Sequence, residues 1–318
     1  MQGNDLKMKL IADLSEYDAE ELRRERDALL VDEAMVIATD LRYAHRVLLR
    51  DAFGRYWRMG FRGFKSGLQF VWTFGGRTSL EIEPAHRSLA FYVEKLERGE
   101  PFAFLRYGDL FSCVVGSLFS GYGFQQFTPK LREELAAGLR TNSHHSECIM
   151  GLAPIHHMVR MGLWGHTAAW LQGNDLTEVE WVETETFNQA LYAGLLFPFV
   201  RALRFHEVLI VGPRKLKGLL GEALPGARFL EIPSRDAFSV VDRIEAEIRE
   251  RTAPGGVVSL SAGPTAPILQ HRLLETGLTT LSMGTTWEPF VGWAGHESHR
   301  EITIATMAAN LGYEIIKP

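Results

Sequence analysis

The sequence predicts an α/β fold with a parallel, Rossmann-like sheet over residues 85–318. Apolar runs alternate there with stretches of helical spacing, and two of the runs end in Gly-Pro. Strands that alternate with helices of about 10–15 residues are typical of right-handed βαβ units, in which the strands run parallel. Because ligands of such sheets bind outside the carboxyl ends of the strands, the residues that follow each strand form the candidate site.

Residues 1–84 are predicted to form a helical N-terminal extension. Residues 1–40 are acidic, whereas residues 42–77 mix arginines with aromatic side chains, and arginine recurs every four residues from Arg42 to Arg50, which places a stripe on one helix face. Such a segment can bind a membrane surface, an anionic partner or single-stranded nucleic acid. The alternative is structural: the arginines pair with the acidic residues 1–40, and the aromatic side chains pack in the core.

The first element of the α/β domain is a helix over residues 85–98, followed by a buried strand over residues 102–105. Arg106, Gly108 and Asp109 come at the exit of this strand. A guanidinium and a carboxylate beside a glycine can contact a phosphate and a divalent cation, respectively. They can also simply pair with each other.

Four more strands are predicted in the second half, at residues 206–211, 227–234, 257–262 and 278–284, with a helix over 236–251. The residues expected at the carboxyl ends of the first and last of these strands are Gly212, Pro213, Arg214, Lys215 and Gly284. Arg214 and Lys215 are predicted to begin a helix. Their cationic side chains would favour an anionic ligand at this edge.

The third of these strands runs into Gly263-Pro264-Thr265, which should open a helix. Gly263 permits a tight turn, Pro264 suits the first helical position, and Thr265 contributes a hydroxyl. The N–H groups and partial positive charge of a helix N-terminus favour phosphate. The turn is therefore a candidate site for a nucleotide diphosphate, and the alternative is a strand-to-helix turn that binds no ligand.

Several acidic residues and histidines are candidates for proton transfer. Glu288 is the best-placed general base, because it follows the last strand on the expected ligand edge. Glu183 and Glu185 alternate as in a strand, and we expect both to face solvent. The five histidines at positions 144, 145, 156, 157 and 166 do not form the helical i, i+4 pattern of a zinc site. They are interpreted as ordinary histidines, with a base among them as the alternative.

Composition excludes several classes of protein. A net charge of −5 over 318 residues argues against general nucleic-acid binding, which usually needs a basic surface. The two cysteines, Cys113 and Cys148, form no disulfide framework and fit a reducing compartment. No apolar run reaches the roughly 18–20 residues of a membrane span. We therefore expect a cytoplasmic protein.

The order of these motifs resembles the GT-D-type glycosyltransferases, over roughly residues 95–290. That family carries an Arg-x-Gly-Asp-Gly-Glu segment near the start of its sheet, and Arg106-Tyr-Gly-Asp-Leu-Phe111 lies at the matching place. The other segments similar to family motifs are Val208–Pro213, Ile232–Phe238, Leu260–Ala266 and Gly277–Gly284.

The resemblance implies a glycosyltransferase that moves a sugar from a nucleotide-sugar donor, a UDP-sugar above all, to a glycan or other hydroxyl acceptor. It implies a catalytic role for Asp109, through a divalent cation (Mn²⁺ or Mg²⁺) or the ribose. Two motifs depart from the family: Phe111 stands where the family has Glu, and Ser282-Met-Gly-Thr285 replaces Asp-x-Gly-His. Three alternatives therefore stay open: metal-independent donor binding, an inactive binding module of a glycosylation assembly, and a nucleic-acid acceptor.

Overall fold

A computed structural model of the chain describes residues 82–83, 85–108, 110–115, 121–122, 124–153, 158, 163–184, 186–188, 196–217, 224 and 226–288. The basic and aromatic segment at 42–77 and the carboxylate of Asp109 lie outside these ranges. The predictions that rest on them, and the domain boundary between residues 84 and 85, stay predictions.

The described strands are β1 (Ile82–Glu83), β2 (Ala103–Arg106), β3 (Gly121–Tyr122), β4 (Gln125–Gln126), β5 (Cys148–Leu152), β6 (Trp181–Glu183), β7 (Val208–Pro213), β8 (Arg228–Ile232), β9 (Val257–Leu260) and β10 (Thr279–Ser282). The described α-helices are α1 (Ala85–Arg98), α2 (Phe111–Val114), α3 (Pro129–Asn142), α4 (Trp164–Gln172), α5 (Phe197–Leu203), α6 (Val241–Arg251) and α7 (Thr265–Arg272). Two 3₁₀ turns span Arg214–Leu216 and Ala237–Val240.

The described residues divide into two compact units, and the division falls within β2. The first unit contains residues 85–103 and 186–288, and the second contains residues 82–83 and 104–184 within the described ranges. Both units are of the α/β type, as the sequence predicts, and each is described by itself below.

The first unit is built on four parallel strands in the order β10-β9-β7-β8. The residues of β7, β9 and β10 are apolar or small, as strands covered by helices require, and β9 and β10 are buried along their whole length. Strand β8 differs, because its Arg228 and Glu231 are exposed. Helix α6 follows β8 and buries Val241, Ile244 and Ile248, which recur at helical spacing. The predicted βαβ pattern of this half is confirmed.

An aromatic cluster forms a second part of this unit's core. Tyr92 of α1 stacks on Phe102 with ring centroids 5.8 Å apart, and Phe187 lies 5.3 Å from Tyr92 and 4.5 Å from Phe199 of α5. Offset and tilted ring pairs of this kind contribute about 0.5–1.5 kcal/mol each beyond the apolar area they bury. The cluster therefore fixes α1 and α5 within the first unit.

The second unit contains three parallel strands in the order β1-β6-β5. The N–H of Tyr107, just after β2, donates to the carbonyl of Gly151 on β5 at 2.9 Å. Helix α3 begins at a regular cap, because the hydroxyl of Thr128 accepts from the N–H of Leu131 and Pro129 occupies the first turn. A short antiparallel pair, β3 and β4, completes the described strands.

The solvent-facing placement predicted for Glu183 is wrong. Alternation identified the strand, but β6 lies between β1 and β5, so it is a central strand, and Glu183 is buried. Glu185 lies outside the described residues. Among the helices that the structure describes, none is long and apolar enough to cross a membrane.

Candidate functional site at the carboxyl ends of three strands

The carboxyl ends of β7, β9 and β10 lie side by side in the first unit. Val211 pairs with Leu260, which pairs with Ser282, so β9 and β10 end at the level of Val211, two residues before the end of β7. The pairing extends one residue further, since the N–H of Ser261 donates to the carbonyl of Val211 at 2.8 Å. The predicted residues that follow these strands therefore share one edge of the sheet.

The turn after β9 has the predicted conformation. Gly263 has φ +55°, a left-handed backbone that favours glycine, and α7 begins at Thr265. The N–H groups of Thr265 and Ala266 donate to the carbonyls of Ala262 and Gly263 at 3.2 and 3.0 Å.

Few N–H groups remain for a ligand at this helix start. Pro264 and Pro267 have none, and those of Thr265 and Ala266 are already used within the turn. The side chains therefore matter more for anion binding here than the helix N-terminus that the sequence suggested.

Two hydroxyls flank this turn without a partner. The Thr265 side chain is fully buried, and neither its Oγ1 nor the buried Oγ of Ser261 has a hydrogen-bond partner. A buried polar group left unsatisfied costs about 1–3 kcal/mol. Ser261 is a site residue that sequence reasoning missed, although its place two residues before Gly263 was a usable signal.

The turn after β7 differs from the prediction. Arg214–Leu216 forms a three-residue 3₁₀ turn, closed by the N–H of Lys217 donating to the carbonyl of Arg214 at 2.9 Å, and the backbone is extended at Lys217. A Cβ added at Gly212 would lie 2.8 Å from Cδ1 of the buried Leu216. The absence of a side chain at Gly212 thus lets Leu216 fold back onto the strand. The helix start predicted at Arg214 and Lys215 is, in the described residues, a single 3₁₀ turn.

Glu288 does not stand alone at the edge. Nζ of Lys215 donates to Oε1 of Glu288 at 2.9 Å, with the Lys215 side chain 37% exposed and that of Glu288 8% exposed. Gly284 starts the intervening turn with φ +55°, and the N–H of Glu288 donates to the carbonyl of Thr285 at 2.9 Å. The candidate base is therefore a buried carboxylate held in an ion pair.

The segment that carries Glu288 is fixed to its surroundings. The hydroxyl of the buried Thr286 lies 2.7 Å from the carbonyl of Met283 and 2.9 Å from the side-chain oxygen of Asn188. The indole N–H of Trp287 donates to the hydroxyl of Ser259 in β9 at 2.8 Å. These contacts give the residues after β10 a defined position at the edge.

The predicted residues after β2 belong to the second unit. Arg106 is half-buried and Gly108 is buried, and a Cβ added at Gly108 would lie 3.2 Å from Oγ1 of Thr184. That hydroxyl is buried and has no partner. Phe111, at the position of the family Glu, is fully buried, with its ring 5.9 Å from that of Trp170 in an edge-to-face arrangement.

The residues in the described ranges do not form a protein-only metal site. No group of three or more His, Cys, Asp or Glu side chains there is arranged to hold a metal ion. His144 is exposed, and Nδ1 of His145 accepts from the N–H of Glu147 at 3.3 Å. The pair at 156 and 157 lies outside the described residues.

Both cysteines are free thiols in the second unit. Burial raises the pKa of Cys113 to about 11, although the neighbouring Arg132 acts in the opposite direction. Burial, and then the adjacent Glu147, raises the pKa of Cys148 to about 12. Burial also raises the pKa of Tyr107. These groups are uncharged at neutral pH, so they are poor nucleophiles there.

Comparison with known proteins identifies the fold. No family model and no curated protein matches the sequence. A solved structure described as a new glycosyltransferase (DUF1792) from Streptococcus sanguinis is 20% identical, with a TM-score of 0.51, and the match covers 66% of this chain and 84% of that one.

Two further solved structures agree with this result. A selenomethionine-substituted structure of domain of unknown function 1792 gives a TM-score of 0.52 at 16% identity, over 67% of this chain and 80% of that one. A structure described as showing that this domain has a distinct glycosyltransferase fold gives a TM-score of 0.50 at 16% identity, with the same coverage. The chain therefore has the fold of the DUF1792 domains, the GT-D-type glycosyltransferase fold whose motifs its sequence resembles.

Proposed function

We propose that the protein is a glycosyltransferase that moves a sugar from a nucleotide-sugar donor, most simply a UDP-sugar, to a hydroxyl acceptor such as a glycan. The fold is that of proteins described as glycosyltransferases. The observation that carries the proposal is the unpartnered, fully buried hydroxyl of Thr265 beside Gly263 at the end of a central parallel strand. A phosphate oxygen would satisfy this hydroxyl in the place where ligands of such sheets bind.

The donor diphosphate would be held mainly by side chains. Thr265 and Ser261 contribute hydroxyl donors, and Arg214 and Lys215 contribute positive charge on the exposed turn after β7. The remaining predicted residues, Gly212, Pro213, Gly263, Pro264 and Gly284, would shape the backbone of the edge. In this assignment, side chains replace the backbone N–H groups that the start of α7 does not offer to an anion.

A divalent cation, if the reaction uses one, would depend on the donor for most of its ligands. Asp109 is the residue assigned to cation or ribose binding, with Arg106 and Gly108 beside it in sequence. Phe111 is packed against Trp170 and supplies no second carboxylate. Mg²⁺ commonly binds through one or two carboxylates together with substrate phosphates and waters, which matches a single Asp. The cation would neutralise charge on the departing diphosphate.

Glu288 is assigned as the general base for the acceptor hydroxyl, on the strength of its place after β10. In the ligand-free protein its carboxylate is paired with Lys215 at 2.9 Å. Because the Lys215 ammonium occupies Oε1 in this contact, we assign proton abstraction to the state in which the pair has opened. We place the reaction in the cytoplasm on the sequence argument alone.

A second function is favoured by one specific observation. The family Glu is replaced here by a core Phe, and the remaining acid of the described edge is ion-paired. A protein that binds a nucleotide sugar or another anion without turning it over, as one module of a glycosylation assembly, would need neither carboxylate. If the protein is such a binding module, it binds the nucleotide sugar but does not transfer the sugar.

A two-stage experiment separates the candidates. Thermal unfolding of the full chain is followed with a panel of nucleoside diphosphates and nucleotide sugars, with and without Mn²⁺, because a ligand of the native state raises Tm. The stabilising sugar nucleotide is then assayed for hydrolysis and for transfer to glycan and other hydroxyl acceptors. Stabilisation with turnover supports the enzyme, and stabilisation without turnover supports the binding module. Absence of stabilisation by every nucleotide contradicts both.

A further inference from the structure

The ion pair between Lys215 and Glu288 joins two segments that are far apart in sequence. Lys215 lies in the turn after β7 and Glu288 follows β10, 73 positions further along the chain, and Nζ of Lys215 lies 2.9 Å from Oε1 of Glu288. Leu216 anchors the first segment against Gly212, and Trp287 anchors the second through Ser259. Because both backbone segments are anchored, the fold itself brings Lys215 and Glu288 together.

The two partners differ in their access to solvent. The Glu288 side chain is 8% exposed, whereas the Lys215 side chain is 37% exposed. A buried carboxylate needs a cation to offset its desolvation, and Lys215 provides one. An incoming anion therefore has more access to Lys215 than to Glu288. Lys215 is thus the member of the pair that a diphosphate would contact first.

We infer that the donor diphosphate and the Glu288 carboxylate compete for the Lys215 ammonium, so that donor binding separates Glu288 from Lys215. This rests on the proposed function and adds an order to it: the acceptor hydroxyl meets a Glu288 carboxylate that has left Lys215 only after the donor has bound. Before that, Glu288 acts as an internal anion that occupies the cation of the donor site. Through this ion pair, donor binding controls whether Glu288 can accept the proton of the acceptor hydroxyl.

The competition gives Glu288→Gln an unusual expected effect. The amide keeps the shape of the side chain but removes the competing charge, so nucleoside diphosphate affinity should rise, on the order of 3- to 10-fold. Repulsion between a carboxylate and a bound diphosphate is removed at the same time. If Glu288 instead holds Lys215 in a productive position, the same substitution weakens binding.

The experiment is a calorimetric titration of the full chain with UDP and Mg²⁺, and with GDP and Mg²⁺. Lys215→Met alone would remove the cation that faces a buried carboxylate and would lower the stability of the protein. The double variant Lys215→Met/Glu288→Gln removes both charges and avoids this problem. It should bind more weakly than the wild type by about 10-fold or more, because the phosphate loses its cation. The difference in nucleotide affinity between the single Glu288→Gln variant and this double variant measures the contribution of Lys215 to binding.

Glu247→Gln is the matched control. Glu247 lies on α6, pairs with Arg243 and Arg251, and its replacement changes the net charge by the same amount. Its nucleotide affinity should equal that of the wild type. Unchanged or weaker binding by Glu288→Gln, with normal binding by the wild type, overturns the competition and leaves the proposed function standing. Absence of binding by the wild type overturns both together.

Discussion

The indole N–H of Trp287 donates a 2.8 Å hydrogen bond to the hydroxyl of Ser259, and both side chains are fully buried. Ser259 lies in the middle of β9, and Trp287 directly precedes Glu288. The bond therefore ties the segment that carries the candidate base to the strand that leads into the Gly-Pro-Thr turn. Two parts of the proposed site share one buried contact.

This contact predicts a non-additive pair of substitutions. Trp287→Phe removes the donor to the Ser259 hydroxyl and opens a small cavity, and Ser259→Ala removes the acceptor of this indole hydrogen bond. Each should lower the free energy of unfolding by about 1–3 kcal/mol, as measured by urea denaturation. The double variant should lose clearly less than the sum, since no orphaned group remains. Strict additivity would mean that the hydrogen bond contributes nothing.

Thr265 should show opposite effects on stability and on binding. Its Oγ1 has no partner in the ligand-free protein, so Thr265→Val removes an unsatisfied polar group from a site of nearly the same shape. The free energy of unfolding should stay the same or rise by up to about 1–2 kcal/mol. Affinity for nucleoside diphosphates should fall.

Thr265→Ser is the control, because it keeps the hydroxyl. Gly263→Val is less informative on its own: with φ +55° at Gly263, a β-branched residue is strained whether or not a ligand binds there. The site assignment would be refuted by a Thr265→Val protein that is less stable yet binds nucleotides normally. In that case the hydroxyl serves the fold and not a ligand.

Metal binding should depend on nucleotide. Since Phe111 packs in the core and Asp109 is the remaining acid of the motif, Mn²⁺ should bind weakly to the free protein and more tightly once a nucleoside diphosphate is present. Isothermal titration with and without UDP measures the difference. Asp109→Asn should abolish the gain. Tight Mn²⁺ binding to the nucleotide-free protein would show that other carboxylates complete a metal site.

Alkaline pH should destabilise the protein through Cys148. Burial raises its pKa from 9.0 to about 12, so the folded state keeps the thiol protonated where the unfolded chain ionises. The stabilisation is complete below pH 9 and is lost as the pH rises towards 12, with a slope of about 1.4 kcal/mol per pH unit for one such group.

Urea denaturation at pH 7.5, 9 and 10 measures this slope. Cys148→Ala should reduce it, and Cys113 and Tyr107, whose pKa burial also raises, contribute to the slope that remains. The same burial predicts slow alkylation of both thiols in the native protein at pH 7.5. An alkaline slope that Cys148→Ala leaves unchanged would contradict the burial argument.

Local chemistry explains which parts of the structure the sequence could predict. The turn at Gly263 was predictable because glycine readily adopts the positive φ that this turn requires and proline suits the start of a helix. The turn at Arg214 was not, because its form depends on Leu216 packing against Gly212 of the preceding strand. Strand β6 is buried at all three of its residues, so both faces of the sheet are covered there, and alternation of residue types cannot reveal the covering of the face that contains Glu183.

Contacts within the site between residues that are far apart in the chain could not be predicted from the sequence. Glu288 and Lys215 were each identified as candidates from their position after a strand. Their pairing needs the order β10-β9-β7, in which strands distant along the chain lie close together. That the Ser261 hydroxyl is buried and has no partner likewise follows only from the positions of the atoms around it in the folded protein.

The central claim, that a nucleoside diphosphate binds at the carboxyl ends of β7, β9 and β10, is tested most directly by hydrogen–deuterium exchange with and without saturating UDP and Mg²⁺. The account predicts slower amide exchange in peptides covering residues 212–217, 261–266 and 283–288, with Thr265→Val reducing the effect at a fixed UDP concentration. Nucleotide binding that protects other segments while all three of these peptides exchange at their ligand-free rates would contradict it.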